Sequence, residues 1–231
     1  MIGAVLTAVS RLLPIVCFLT MCVSLYAIFI YAPTERTMGD VQRIFYFHIS
    51  AWWIAGLALT VTFFSAVFYL WKKDRRFDAA ALASTEIGVL FMTIGITTGP
   101  IWAKPIWGIY WTWDPRLTSA LICWLMYFAI LMLRRYVPEE TKRANLASVT
   151  SIIAYVNVPF VFMAIRLFRT QHPQPVIGGG DDSGLAPAMT HAFLVTLLAF
   201  TFLYLWLMEK RLALEATSGE VDHLHKELEL T

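Results

Sequence analysis

Residues 44–71 read IFYFHISAWWIAGLALTVTFFSAVFYLW, 28 positions without a Lys, Arg, Asp or Glu. A helix needs about 20 apolar residues to cross the hydrocarbon core of a bilayer. A run this long and this free of charge reads as a membrane span rather than a soluble core helix. Five more runs of the same kind lie on either side of it. They are Leu12–Tyr31, Ala79–Trp102 (broken only by Glu86), Leu117–Leu133, Ala144–Ile165 and Gly184–Met208. Composition agrees, since 58% of the 231 residues are hydrophobic and 15% are charged. Soluble domains run about 45–50% apolar and about 25% charged, and disordered chains are poorer still in apolar residues. The expected fold is all-α, a polytopic membrane protein with six transmembrane helices. One membrane domain covers residues 1–208, followed by a charged, helical tail over 209–231. The first run exceeds a secretory h-region and no small-residue cleavage site follows it, so it reads as a retained span.

Six spans put both termini on one side. That side, with loops two and four, holds twelve basic residues, among them Lys72, Lys73, Arg75, Arg76, Arg134, Arg135, Lys210 and Arg211. The other side holds six: Arg36, Arg43, Lys104, Arg116, Arg166 and Arg169. The positive-inside rule then places both termini in the cytoplasm, with loops one, three and five outward. Cys17, Cys22 and Cys123 form no C-x-x-C pair, which leaves no redox or zinc motif. A net charge of +2 gives no reason to expect nucleic-acid binding.

The outward side collects the unusual residues. Loop three reads WAKPIWGIYWTWDPRLT and contains Trp102, Trp107, Trp111 and Trp113, four of the nine tryptophans. Trp52 and Trp53 belong to the same side. An aromatic belt would scatter one or two Trp per helix end, so this density points to a platform for a flat ligand. Trp107 and Trp111 share a face if the stretch is helical; Trp111 and Trp113 share one only if it is extended. A short helix breaking into a turn satisfies both. Asp114, before Pro115, is placed to cap the fourth helix, and it can orient the Trp loop from there.

His48 and His191 sit near the outer ends of spans two and six, at similar depth. Ionisable groups at such positions are functional candidates. Alone, either fits an interfacial imidazole satisfied by water or a carbonyl. Together, beside a Trp platform, they suit two axial ligands of a haem iron. Arg43 and Arg116 are placed either to hold its propionates or to neutralise Asp40 and Asp114. His172 lies in the long loop five beside Pro173, and His223 and His225 read as solvated tail. Asn157-Val158-Pro159 should break span five. Glu86 should pair with a basic residue at the inner end. No row of buried carboxylates marks a proton relay. Two rivals remain: a b-type electron-transfer subunit would need more His within the spans, and a small-solute permease would need more midplane polar groups.

The run Trp107-Gly108-Ile109-Tyr110-Trp111-Thr112-Trp113-Asp114 resembles the W-G-x-x-W-x-W-D signature of haem-handling membrane proteins of cytochrome c biogenesis. Length, span count and the positions of His48 and His191 look most like the CcmC family, as does Gly39–His48 (GDVQRIFYFH). The resemblance implies haem b held at the periplasmic face of the bacterial inner membrane, with His48 and His191 as axial ligands. Trp107, Trp111, Trp113 and Asp114 would form the platform. It implies delivery to the chaperone CcmE within an assembly with the ATPase CcmA and the membrane subunits CcmB and CcmD. The chain has no Walker A pattern, so ATP hydrolysis would belong to a partner and this chain would not be an enzyme. The glycine triplet at residues 178–180 suits a flexible flap.

Overall fold

The computed structural model describes residues 2–168, 170–172 and 184–229. Helix α1, Ile2–Tyr26, continues through one π-helical turn, Ala27–Tyr31. A short 3₁₀ turn over Asp40–Arg43 leads into α2, Ile44–Lys72. Then come α3 (Arg75–Trp107), α4 (Pro115–Tyr136), α5 (Glu140–Tyr155), α6 (Asn157–Leu167) and α7 (Pro187–Glu229). Among the described residues six helical stretches are long and apolar enough to cross a membrane, with α5 and α6 together making the fifth. The chain is therefore an all-α integral membrane protein. Its large apolar side chains face outward on several helices, among them Phe18, Ile30, Trp71 and Val156, as expected where the surrounding solvent is lipid.

The break at Asn157 falls where Pro159 removes a backbone donor, and Asn157 turns its amide to donate to the Ser119 carbonyl at 3.0 Å. Glu86 accepts from Arg211 of α7. The last helix runs from the sixth span into the charged tail without interruption. Asp78 and Arg134 form a two-pronged pair at 2.7 and 2.8 Å. These pairs gather at the end of the bundle that holds the basic loops.

Helices α2 and α3 form the tightest pair. They are antiparallel and joined across Lys73 and Asp74; Lys73 closes α2 in the left-handed conformation (φ 55°) and Asp74 caps α3 by accepting from Arg76 N–H. Small residues on α3 allow the close approach, the usual device where lipid supplies no hydrophobic drive between helices. A Cβ at Gly88 would meet Leu59, one at Gly95 would meet the Trp52 ring at 2.6 Å, and one at Gly99 would meet His48 at 3.3 Å. Gly95 and Gly99 therefore make the bed on which His48 and Trp52, one turn apart on α2, are laid.

Candidate functional site

His48 is buried at the tryptophan end of α2. Its Nδ1 lies 2.9 Å from Thr98 Oγ1 on α3. Trp52 and Trp102 stand edge-on to its ring, at centroid distances of 6.4 and 5.9 Å. The imidazole is thus fixed on its Nδ1 side by Thr98 and the backbone carbonyl of Gly95, and by two aromatic edges, and its Nε2 is the nitrogen left for a ligand.

Loop three does not continue the helix as far as Trp111. Helix α3 carries Trp102 and Trp107 and stops at Gly108, whose φ of 77° suits glycine; its N–H donates to the Lys104 carbonyl. Lys104 Nζ then donates to the Gly108 carbonyl at 2.8 Å. From there the chain is irregular to Asp114, which caps α4 by accepting from Leu117 N–H at 2.9 Å and holds Thr112 Oγ1 at 3.0 Å. Asp114 thus caps the helix and fixes the loop at once. Trp111 and Trp113 pack edge-to-face at 5.8 Å, but Trp113 is 75% exposed.

These elements enclose a cavity of about 570 Å³, within the usual size of small-ligand sites. Trp52, Trp53, Trp102, Trp107 and Trp111 line it, so five of the six tryptophans at this end converge on one space. Arg116 lines it from the start of α4. Its guanidinium donates to the Val161 carbonyl and lies over the rings of Trp52 and Phe162, at 5.9 and 5.6 Å. The second histidine lining the cavity is His172. It stands edge-on to Trp107 at 5.6 Å, and its Nδ1 is buried with no hydrogen-bond partner among the described residues. The indole N–H groups of Trp102 and Trp111 are likewise buried and unpartnered.

Three residues singled out from sequence lie apart from this space. His191 is exposed, with its Nδ1 3.0 Å from Tyr31 Oη and its ring stacked on Tyr31. Arg43 turns back to α1, donating to the Ile28 carbonyl and to Asp40. Trp113 faces outward beyond Trp111. His172 was not singled out, because a polar residue beside a proline in a long loop carries no sign of burial. The available signal was its side: it shares the outward end with His48. The glycine triplet at residues 178–180 and the side chains of His223 and His225 lie outside the described residues.

The donor set discriminates between ligands. Among the described residues no three His, Cys, Asp or Glu side chains gather to hold a bare metal ion. Two imidazoles alone suit an iron whose other four positions are already filled by a macrocycle. Flat indole walls suit the ring, and a guanidinium with two free indole donors suits carboxylates. The residues present therefore fit haem.

Comparison with known proteins agrees with this chemistry. The chain is 31% identical over 176 residues to "Heme exporter protein C" of Bradyrhizobium diazoefficiens, covering 76% of this chain and 67% of that one. It is 29% identical over 210 residues to the protein of the same name in Haemophilus influenzae, covering 89% and 85%. The Escherichia coli K12 protein of that name matches at 29% over 143 residues, 62% of this chain and 58% of its own. The profile of the family described as CcmC, "Heme exporter protein C", matches residues 2–227, so nearly the whole chain, cavity and tail included, belongs to the heme exporter protein C family of cytochrome c biogenesis.

Proposed function

We propose that the cavity receives haem b as cargo, with its iron between His48 and His172, and presents it at the periplasmic face of the inner membrane to the chaperone CcmE. The observation that carries this reading is the convergence of His48, His172 and Arg116 on one tryptophan-walled space. His48 approaches from a span and His172 from a loop, so the loop imidazole can be withdrawn without disturbing the bundle. Such an arrangement suits temporary holding better than permanent ligation. Arg116, pinned by the Val161 carbonyl, supplies a fixed positive charge for a propionate. Trp52, Trp102 and Trp107 exclude water from the ring faces. Arg43 is committed to α1 and Asp40, and is left with a structural part.

The same reading gives the chain no catalytic step of its own. CcmA would supply ATP hydrolysis, with CcmB and CcmD beside it in the membrane. Both termini and the tail from residue 209 would face the cytoplasm, in keeping with the basic residues at that end.

The test is the absorption spectrum of the purified chain and of three single variants. His48→Ala and His172→Ala should each lose the low-spin spectrum of an iron with two imidazole ligands, while His191→Ala keeps it. Loss in His191→Ala with retention in His172→Ala would instead restore the pairing expected from sequence. Retention in both His48→Ala and His172→Ala would overturn the site itself.

A further inference from the structure

Thr98 sits on α3 with its Oγ1 2.7 Å from the Ile94 carbonyl oxygen and 2.9 Å from His48 Nδ1. A threonine hydroxyl has one proton and two lone pairs. Two oxygens held 2.7 Å apart need a proton between them, and a carbonyl has none to give. The hydroxyl proton is therefore spent on Ile94, the common bond of a helical threonine to the carbonyl one turn back. Oγ1 then faces His48 as an acceptor only, so Nδ1 must carry the proton of that second bond. A neutral imidazole has one N–H. With it placed on Nδ1, Nε2 carries the lone pair.

From this we infer that Thr98 is a positioning residue, which holds His48 in the Nδ1–H form and so makes Nε2 the iron-binding nitrogen; the inference rests on the haem reading above. Free neutral histidine in water favours the opposite form, with the proton on Nε2, where it would block ligation. The neighbouring Gly99 completes the device. A Cβ there would press on His48 Cε1 at 3.3 Å, so its absence lets the ring lie close enough to α3 to reach Thr98. A hydrogen bond to the far nitrogen of a metal-binding imidazole fixes its tautomer and raises its basicity, and losing such a partner typically weakens binding by roughly 10–100-fold.

Thr98→Val keeps the shape and removes the acceptor; Thr98→Ser keeps the hydroxyl. The full chain, labelled with ¹⁵N histidine and free of haem, is compared with both variants, the His48 resonances being identified by their loss in His48→Gln. Wild type and Thr98→Ser should show a protonated Nδ1 and a bare Nε2, and Thr98→Val should shift toward the Nε2–H form. In haem titrations Thr98→Val should bind roughly 10–100-fold more weakly, with a more positive iron midpoint potential, and Thr98→Ser should recover both. Should Thr98→Val prove unstable, Thr98→Ala serves in its place. An unchanged tautomer in the variant overturns the inference, even if haem affinity falls. Wild type with the Nδ1–H form and no haem binding would instead overturn the haem reading and leave the hold of Thr98 on His48 standing.

Discussion

A buried imidazole can bind iron only while it is neutral, and the surroundings of His172 keep it so. Burial lowers its pKa to about 4, helped by the positive charge of Arg116 and opposed by Asp114. An imidazole released into water titrates near 6.5. The docked imidazole therefore binds a proton less readily than a released one. Docking holds fully above about pH 6.5 and weakens by about tenfold per pH unit between there and 4. The Cε1–H resonance of His172 should titrate with a midpoint near 4, and a midpoint near 6.5 would show that the ring does not rest against Trp107. Arg116 and Arg43, equal candidates in the sequence, should separate in the same way. Arg116→Gln should lower haem retention several-fold, and Arg43→Gln should leave it unchanged while loosening the end of α1. Equal effects on haem titration would refute the division. His48 was legible because a titratable residue inside an apolar run is conspicuous. His172 was hidden because burial of a loop residue depends on tertiary packing that no local pattern encodes.

At the scale of elements, the site depends on how closely α2 lies on α3. The six spans could be read from hydropathy because each is long and nearly free of charge. The end of α3 could not: hydropathy marked Trp102, whereas the helix runs to Trp107 and stops only where Gly108 takes a positive φ. Hydropathy tracks the bilayer, and helix length tracks backbone bonding, so the two part company outside the hydrocarbon core. The glycines of α3 were equally silent, since a small residue reveals its purpose only when the facing residue is known. Gly95→Ala would place a Cβ 2.6 Å from the Trp52 ring, a rigid neighbour, whereas Gly88→Ala meets the end of the flexible Leu59 side chain at 2.8 Å. Overpacking of a tight contact costs roughly 1–3 kcal/mol. Gly95→Ala should therefore lower the thermal midpoint more than Gly88→Ala. It should also perturb the haem spectrum, because Trp52 is one turn from His48. Thermal melts and haem spectra of the two variants check this, and a larger effect at Gly88 would contradict the account.

Across the whole molecule the two ends of the bundle do different work. At the basic end charges tie spans together: Arg134 to Asp78, Arg211 to Glu86, and Ser10 to Glu209. At the tryptophan end the spans enclose a cavity with unpartnered polar groups. The pairing of Glu86 was foreseeable from its place in an apolar run, because a lone carboxylate there needs a cation. The Asp78–Arg134 pair was not, since both residues lie near loops where solvation was the simpler expectation. Burial now ranks the two pairs. The side chains of Arg134 and Asp78 are 10% and 12% exposed, against 24% and 37% for Arg211 and Glu86. Removing Asp78 strands the buried Arg134 and costs roughly 3–5 kcal/mol, while Arg211 keeps its second carboxylate, Glu215, when Glu86 is removed. Asp78→Ala should thus lower stability far more than Glu86→Ala. Because α2 and α3 seat His48 through Gly95, Gly99 and Thr98, all toward the other end, folded protein of either variant should keep the wild-type haem spectrum. Unfolding in denaturing detergent, followed by haem absorption on the folded fraction, separates the two quantities. A spectral change in folded Asp78→Ala would mean that the basic end sets the geometry of the site, and that the division of labour between the ends is false.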